Sequence, residues 1–122
     1  MTIAQAERIN GWKYCKTVNE PGRMWIAARL DSDPPACLMC AGDNESEILK
    51  ALVEMVYRYN REIVLTRAAG KCENCGAKGS LEVDHITARS KGRNDRIENL
   101  RALGSEMSCG CHRLRHTAKG GL

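Results

Sequence analysis

The sequence predicts a small α+β protein in two parts, a strand-and-helix N-terminal region followed by a C-terminal region stapled by metal. Three observations carry this. Short apolar runs separated by turn signals open the chain, an apolar period of 3.6 residues follows them, and two cysteine pairs flank His85, with His112 and His116 directly after the second pair.

Trp12 to Val18 and Met24 to Leu30 flank Asn19-Glu20-Pro21-Gly22, a turn signal, and therefore read as a strand hairpin. Asp33-Pro34-Pro35 breaks the chain, and Ala36 to Ala41 is apolar enough for a third strand. Asn44 with Glu47 three residues later has the pattern of a helix N-terminus. Ile48, Leu49, Leu52, Val53 and Val56 then recur on one helical face, a pattern that can extend through Ile63 and Leu65 to Ala69, where Gly70 ends it. The division expected from these patterns is an N-terminal extension over 1–56 and a second domain over 57–122.

At 122 residues, with aromatic residues at 4% and no Phe, the core must be aliphatic and thin, a situation that a bound metal can reinforce. The opening MTIAQAERIN lacks the layout of a signal peptide, and no apolar run is long enough for a membrane span, so a cytoplasmic protein is expected. In that compartment seven cysteines point to metal binding rather than disulfides. Cys15, Cys37 and Cys40 lack a fourth partner, and the residues between the last two, Leu38 and Met39, are apolar; these three read as buried strand thiols. The formal charge of +4 is concentrated after Ala88, where Arg89, Lys91, Arg93, Arg96, Arg101, Arg113, Arg115 and Lys119 outnumber Asp95, Glu98 and Glu106. Such a surface is either a solvated face or a phosphate-binding one.

Cys72-Glu-Asn-Cys75-Gly76 has the spacing of a tight turn that lets two thiolates share one Zn²⁺, with Gly76 relieving the backbone. Cys109 and Cys111 supply a second pair, and the four together would close a structural site. His112 and His116 lie four residues apart, so on a helix they share a face and either hold a cation or sit in solvent. Asp84 and His85 occupy a strand-like run, Leu81 to Ile86, in which neighbours point to opposite faces; both serve one site only if the strand bends or ends there.

The ordered set CxxCG, Leu81-Glu-Val-Asp84-His85-Ile86, Ser90-Lys91-Gly92, Asp95, Glu98-Asn99-Leu100 and Cys111-His112 resembles the HNH endonuclease family from about Arg67 to His116. The resemblance implies a ββα-metal (His-Me finger) fold, a hairpin and helix gripping one divalent cation beside a four-cysteine zinc site. It implies His85 as general base, Asn99 orienting its ring, and His112 as the third signature residue. Asp84, His112 and His116 would hold the catalytic cation, Mg²⁺, Mn²⁺, Ni²⁺ or Zn²⁺. Arg89, Lys91, Arg93, Arg113 and Arg115 would contact the phosphates of double-stranded DNA. The chemistry agrees, because phosphodiester hydrolysis needs an activated water and neutralised phosphoryl oxygens. The chain departs from the family pattern in one place: Gly104 to Ser108 lengthen the stretch before Cys109, and the pair is CxC rather than CxxC. Similar small proteins occur in bacteriophages and prophages. Two alternatives to the endonuclease stand, an inactive zinc-dependent nucleic-acid-binding module and a partner-dependent subunit of a phage packaging complex that docks through the N-terminal region.

Overall fold

The computed structural model describes residues 1–19, 22–32 and 34–113. It has an α+β architecture that divides into two compact units, Met1–Tyr59 and Asn60–Leu122.

The first unit opens with a helix that the sequence patterns above leave unassigned, α1 (Ile3–Asn10). Its local signals are complete. Thr2 and Gln5 form a reciprocal capping box, and Gly11 ends the helix in the left-handed conformation at φ 78°. An antiparallel meander follows, β1 (Lys13–Asn19), β2 (Arg23–Leu30) and β3 (Ala36–Gly42), in the order β1-β2-β3. These strands fall within a residue or so of the expected ones. The register pairs Tyr14 with Ala28 and Ala28 with Leu38, so one face carries Tyr14, Ile26 and Ala28 into the core.

Helix α2 (Glu45–Ala68) takes the long form of the expected pattern and ends one residue before Ala69. The Asn44 carboxamide oxygen accepts from the Glu47 backbone N–H at 3.2 Å, and positive φ at Ala69 (52°) and Gly70 (78°) unwinds the far end. Its apolar stripe, Ile48, Leu49, Leu52, Val53 and Val56, is buried and packs with Trp12, Tyr14 and Ile26 in one cluster. Tyr59 closes on Trp12 edge to face, with ring centroids 5.3 Å apart. No helix among the described residues is long and apolar enough to cross a membrane.

The second unit contains the end of α2, a cysteine knuckle, and a two-stranded antiparallel sheet of β4 (Leu81–His85) and β5 (Leu100–Gly104). Two single 3-10 turns, Arg89–Lys91 and Ile97–Asn99, shape the connection between the strands. The chain turns helical again at 111–113, the last described residues.

The expectation of buried thiols in the N-terminal strands is corrected by the structure. Cys15 and Cys37 are exposed and Cys40 is half-buried, because Cys15 and Cys37 fall on the sheet face turned away from the helices. An apolar strand pattern shows that one face is buried but not which side of an edge strand remains wet.

Candidate metal centre and active face

The knuckle forms where the chain leaves α2. Gly76 donates its N–H to the Cys72 carbonyl at 2.8 Å, Cys72 donates to the Ala77 carbonyl at 2.9 Å, and Gly76 takes φ 78°, a conformation a side chain would strain. The second turn is built from the lengthened stretch before Cys109. The Ser105 carbonyl accepts from Ser108 and Gly110 at 3.0 and 2.9 Å, and the Ser105 N–H donates to the Ser80 carbonyl at 2.9 Å. Gly110, at φ 72°, turns Cys109 and Cys111 toward the same point. The extra residues are therefore an ordered turn, and both cysteines of the CxC pair reach the cluster.

The Sγ atoms of Cys72, Cys75, Cys109 and Cys111 all lie within 4.8 Å of one another. A tetrahedron of Zn–S bonds near 2.3 Å needs sulfurs about 3.8 Å apart, within about 1 Å of this arrangement. The electrostatics fit a cation too. Burial opposes ionisation of Cys72, but the backbone N–H groups of Cys75, Gly104 and Asn74 outweigh it and lower the thiol to about 6. Cys111 goes the other way. The Asn74 amide favours its thiolate, yet the neighbouring sulfurs of Cys109 and Cys75 push it up to about 12. Four thiols that cannot all ionise side by side are the donor set that a divalent ion relieves, and these four residues fit structural zinc.

Three residues to which the sequence patterns assigned no role support the cluster and the face beside it. Glu73 accepts two hydrogen bonds from the Arg67 guanidinium at 2.8 and 2.7 Å and one from the Ala102 backbone at 2.7 Å, which ties the knuckle to α2 and β5. Its carboxyl is held below the usual range by Arg67, against the opposing effect of burial. Arg67 also donates to the Leu100 carbonyl at 3.1 Å. Gly104 is buried directly beneath the sulfurs, where a Cβ would overlap Cys109 Sγ. The third residue, Asp95, belongs to the candidate active face.

On that face Asp84 and His85 take up different partners, as strand alternation requires. Asp84 is buried, and its Oδ1 lies 3.6 Å from His112 Nε2. The other ring nitrogen of His112, Nδ1, lies 3.5 Å from Glu82 Oε1. A carboxylate and an imidazole nitrogen at this separation, with a second carboxylate behind the ring, match a cation-ligand pair and its orienting partner. His116, the expected further ligand, lies outside the described residues, as does Arg115.

His85 is the last residue of β4, and its Nε2 lies 2.8 Å from Oδ1 of Asp95, a fully buried carboxylate. A carboxylate can only accept, so the proton of the neutral ring sits on Nε2 and its lone pair on Nδ1. Asp95 also receives Arg93 Nε at 2.8 Å, with Arg89 at 4.0 Å, and its carbonyl accepts from the Asn60 side chain at 3.0 Å. Two of the cations expected on phosphates therefore face a buried acid; Lys91 is exposed, and Arg113 pairs with Glu106 at 3.1 Å on the surface.

Asn99 works on backbone. Its Oδ1 accepts from Thr87 N–H at 2.9 Å, and its Nδ2 donates to the carbonyls of Thr87 and Asn94 at 3.3 and 2.8 Å. The Asn99 carbonyl also accepts from Ile86 at 2.8 Å. The two donor hydrogens of the amide are thus committed to the loop on either side of His85 and Asp95. Arg101, opposite Asp84 in the strand register, keeps its Nε buried without a hydrogen-bond partner.

Neither a curated protein nor a solved structure matches the chain significantly. The family model described as HNH endonuclease matches residues 72–118, a stretch that begins at the first cysteine of the cluster and contains Asp84, His85, Asp95, Asn99 and His112. The C-terminal region of this chain carries an HNH endonuclease domain.

Proposed function

We propose that the protein is a metal-dependent endonuclease that hydrolyses DNA phosphodiester bonds, with His85 as general base and the four cysteines holding a structural zinc. The observation that carries this reading is the pairing of His85 with buried Asp95, 2.8 Å apart, on the same hairpin that brings Asp84 to His112. The HNH family model over the same residues supports it.

In this reading Nδ1 of His85 takes the proton of the attacking water while Asp95 fixes the tautomer and stabilises the imidazolium that results. Asn99 holds the loop on which the pair depends. Asp84 and His112, with His116, would bind a divalent cation, which when present neutralises the phosphoryl oxygens and the leaving 3′ oxygen. Glu82 keeps His112 Nε2 directed at that position. Arg101, with its spare buried N–H, offers a donor for a phosphate on the Asp84 side, and Lys91 supplies exposed charge for the backbone.

The test is nicking of supercoiled plasmid by wild type and His85→Ala side by side, with Mg²⁺, Mn²⁺, Ni²⁺ or Zn²⁺ added. Cation-dependent nicking that falls by about 10³-fold or more in the variant is expected for loss of a general base. Equal rates would exclude His85 from the chemistry. DNA retention on a gel without cutting by either protein would mean that the domain binds and does not cleave.

A further inference from the structure

The N-terminal sheet has an outward face that the nuclease reading does not use. Strand register lines up Cys15, Ala27 and Met39 across it, with Trp25 in the next row. These side chains and Thr17 line an open groove of about 280 Å³, and Met39 is 55% exposed. Lys13, Arg23 and Arg29 occupy outward positions of β1 and β2 around this floor. The Arg23 guanidinium lies 5.9 Å from the Trp25 ring centroid, and Arg29 makes a solvent-exposed pair with Asp31 at 3.3 Å. Among the described residues, no outward position of the three strands carries an acidic side chain.

An apolar floor with a half-buried indole and a predominantly positive rim, in which Asp31 beside β2 meets only Arg29, selects its occupant by chemistry. The excess of positive charge disfavours a second copy of the same face, since like charges would mostly meet. An acidic polypeptide would satisfy the cations and leave the indole and guanidinium planes without planar partners. A duplex offers phosphates but hides the faces of its bases. A strand with unpaired bases supplies both, phosphates for the rim and π-faces for Trp25 and Arg23. We propose that this sheet face binds single-stranded nucleic acid, whether or not the C-terminal domain cuts.

The chain contains only two tryptophans, and Trp12 is 1% exposed within the core, so quenching of intrinsic fluorescence reports on Trp25. The full chain carrying His85→Ala, which separates binding from cutting, is titrated with oligo(dT), with a blunt duplex of equal length and with poly-glutamate. The proposal expects saturable quenching by oligo(dT) only. It also expects binding about 10-fold weaker in Arg23→Glu or Arg29→Glu, with the salt slope of log K reduced by about 0.7 for each phosphate that is no longer neutralised. Quenching by poly-glutamate or by the duplex as strong as that by oligo(dT) would overturn it. So would an unchanged Trp25 signal while a labelled oligo(dT) is seen by anisotropy to bind elsewhere on the chain.

Discussion

The two units bury different chemistry. The first closes around carbon, with Trp12, Ile26, Leu49, Leu52, Val53 and Val56 in a single cluster and Asn10 as its buried polar residue among those described. The second buries Val64, Leu100, Ala102 and Leu103 beside Asn60, Asp84, Asp95, Asn99 and Ser105. Burying carboxylates and amides costs free energy unless each is paired. The second unit meets that cost with hydrogen bonds to backbone, with Arg93 on Asp95, and with a cysteine cluster suited to zinc. The contrast places the burden of stability in one unit on apolar packing and in the other on metal and polar pairing, where the candidate catalytic groups also lie.

Removal of zinc should separate them most sharply. Structural zinc sites carry apparent free energies of about 10 kcal/mol or more, so chelation is expected to abolish amide-exchange protection in β4 and β5 while β1 to β3 keep theirs. Simultaneous loss in both sheets would break the comparison. Leu52→Ala probes the other side. It should cost about 2–5 kcal/mol in urea unfolding of the N-terminal unit and leave zinc content unchanged.

Gly104→Ala asks whether the sulfur cluster is as tightly packed as the overlap with Cys109 implies. A cost of about 1–3 kcal/mol is expected, read as faster zinc loss to a chromophoric chelator. Retention of wild-type zinc kinetics would show that β5 yields freely.

Glu73→Gln gives the smallest effect. About 1 kcal/mol should be lost, because Arg67 is 42% exposed and solvent weakens the pair. Since folding lowers the Glu73 pKa, its contribution is complete above the unfolded value near about 4.3 and fades as pH falls through the folded one. The stability difference between Glu73→Gln and wild type should accordingly shrink in acid. A difference that grows in acid would contradict the assigned pairing.

What the sequence disclosed follows the range of the interactions. Helix α2 was legible at both ends because Asn44, the apolar stripe and Gly70 act locally, and the cysteine cluster was legible because CxxCG is a local geometry. Helix α1 has equally local signals in Thr2, Gln5 and Gly11, but its eight residues are too few to display an apolar period. Asp95 belongs to the family-like set, but its role, like those of Glu73 and Gly104, could not be read from local pattern. Their partners His85, Ala102 and Cys109 are met only after the hairpin and knuckle have formed, and nothing in spacing marks one acid among several as buried. The outward turn of Cys15 and Cys37 escaped for a related reason, since alternation in a strand fixes two faces without saying which is covered.

Two cations with separate duties are central to the proposed mechanism, a zinc that builds the fold and a second ion, held by Asp84 and His112, that serves the cutting. The most direct test is plasmid nicking by wild type and Asp84→Ala, each shown by native mass spectrometry to carry one zinc, before and after addition of Mn²⁺. The prediction is nicking by wild type only once Mn²⁺ is present, and none by Asp84→Ala at the same zinc content. Cutting by the one-zinc protein without added cation, or undiminished cutting by Asp84→Ala, would contradict it.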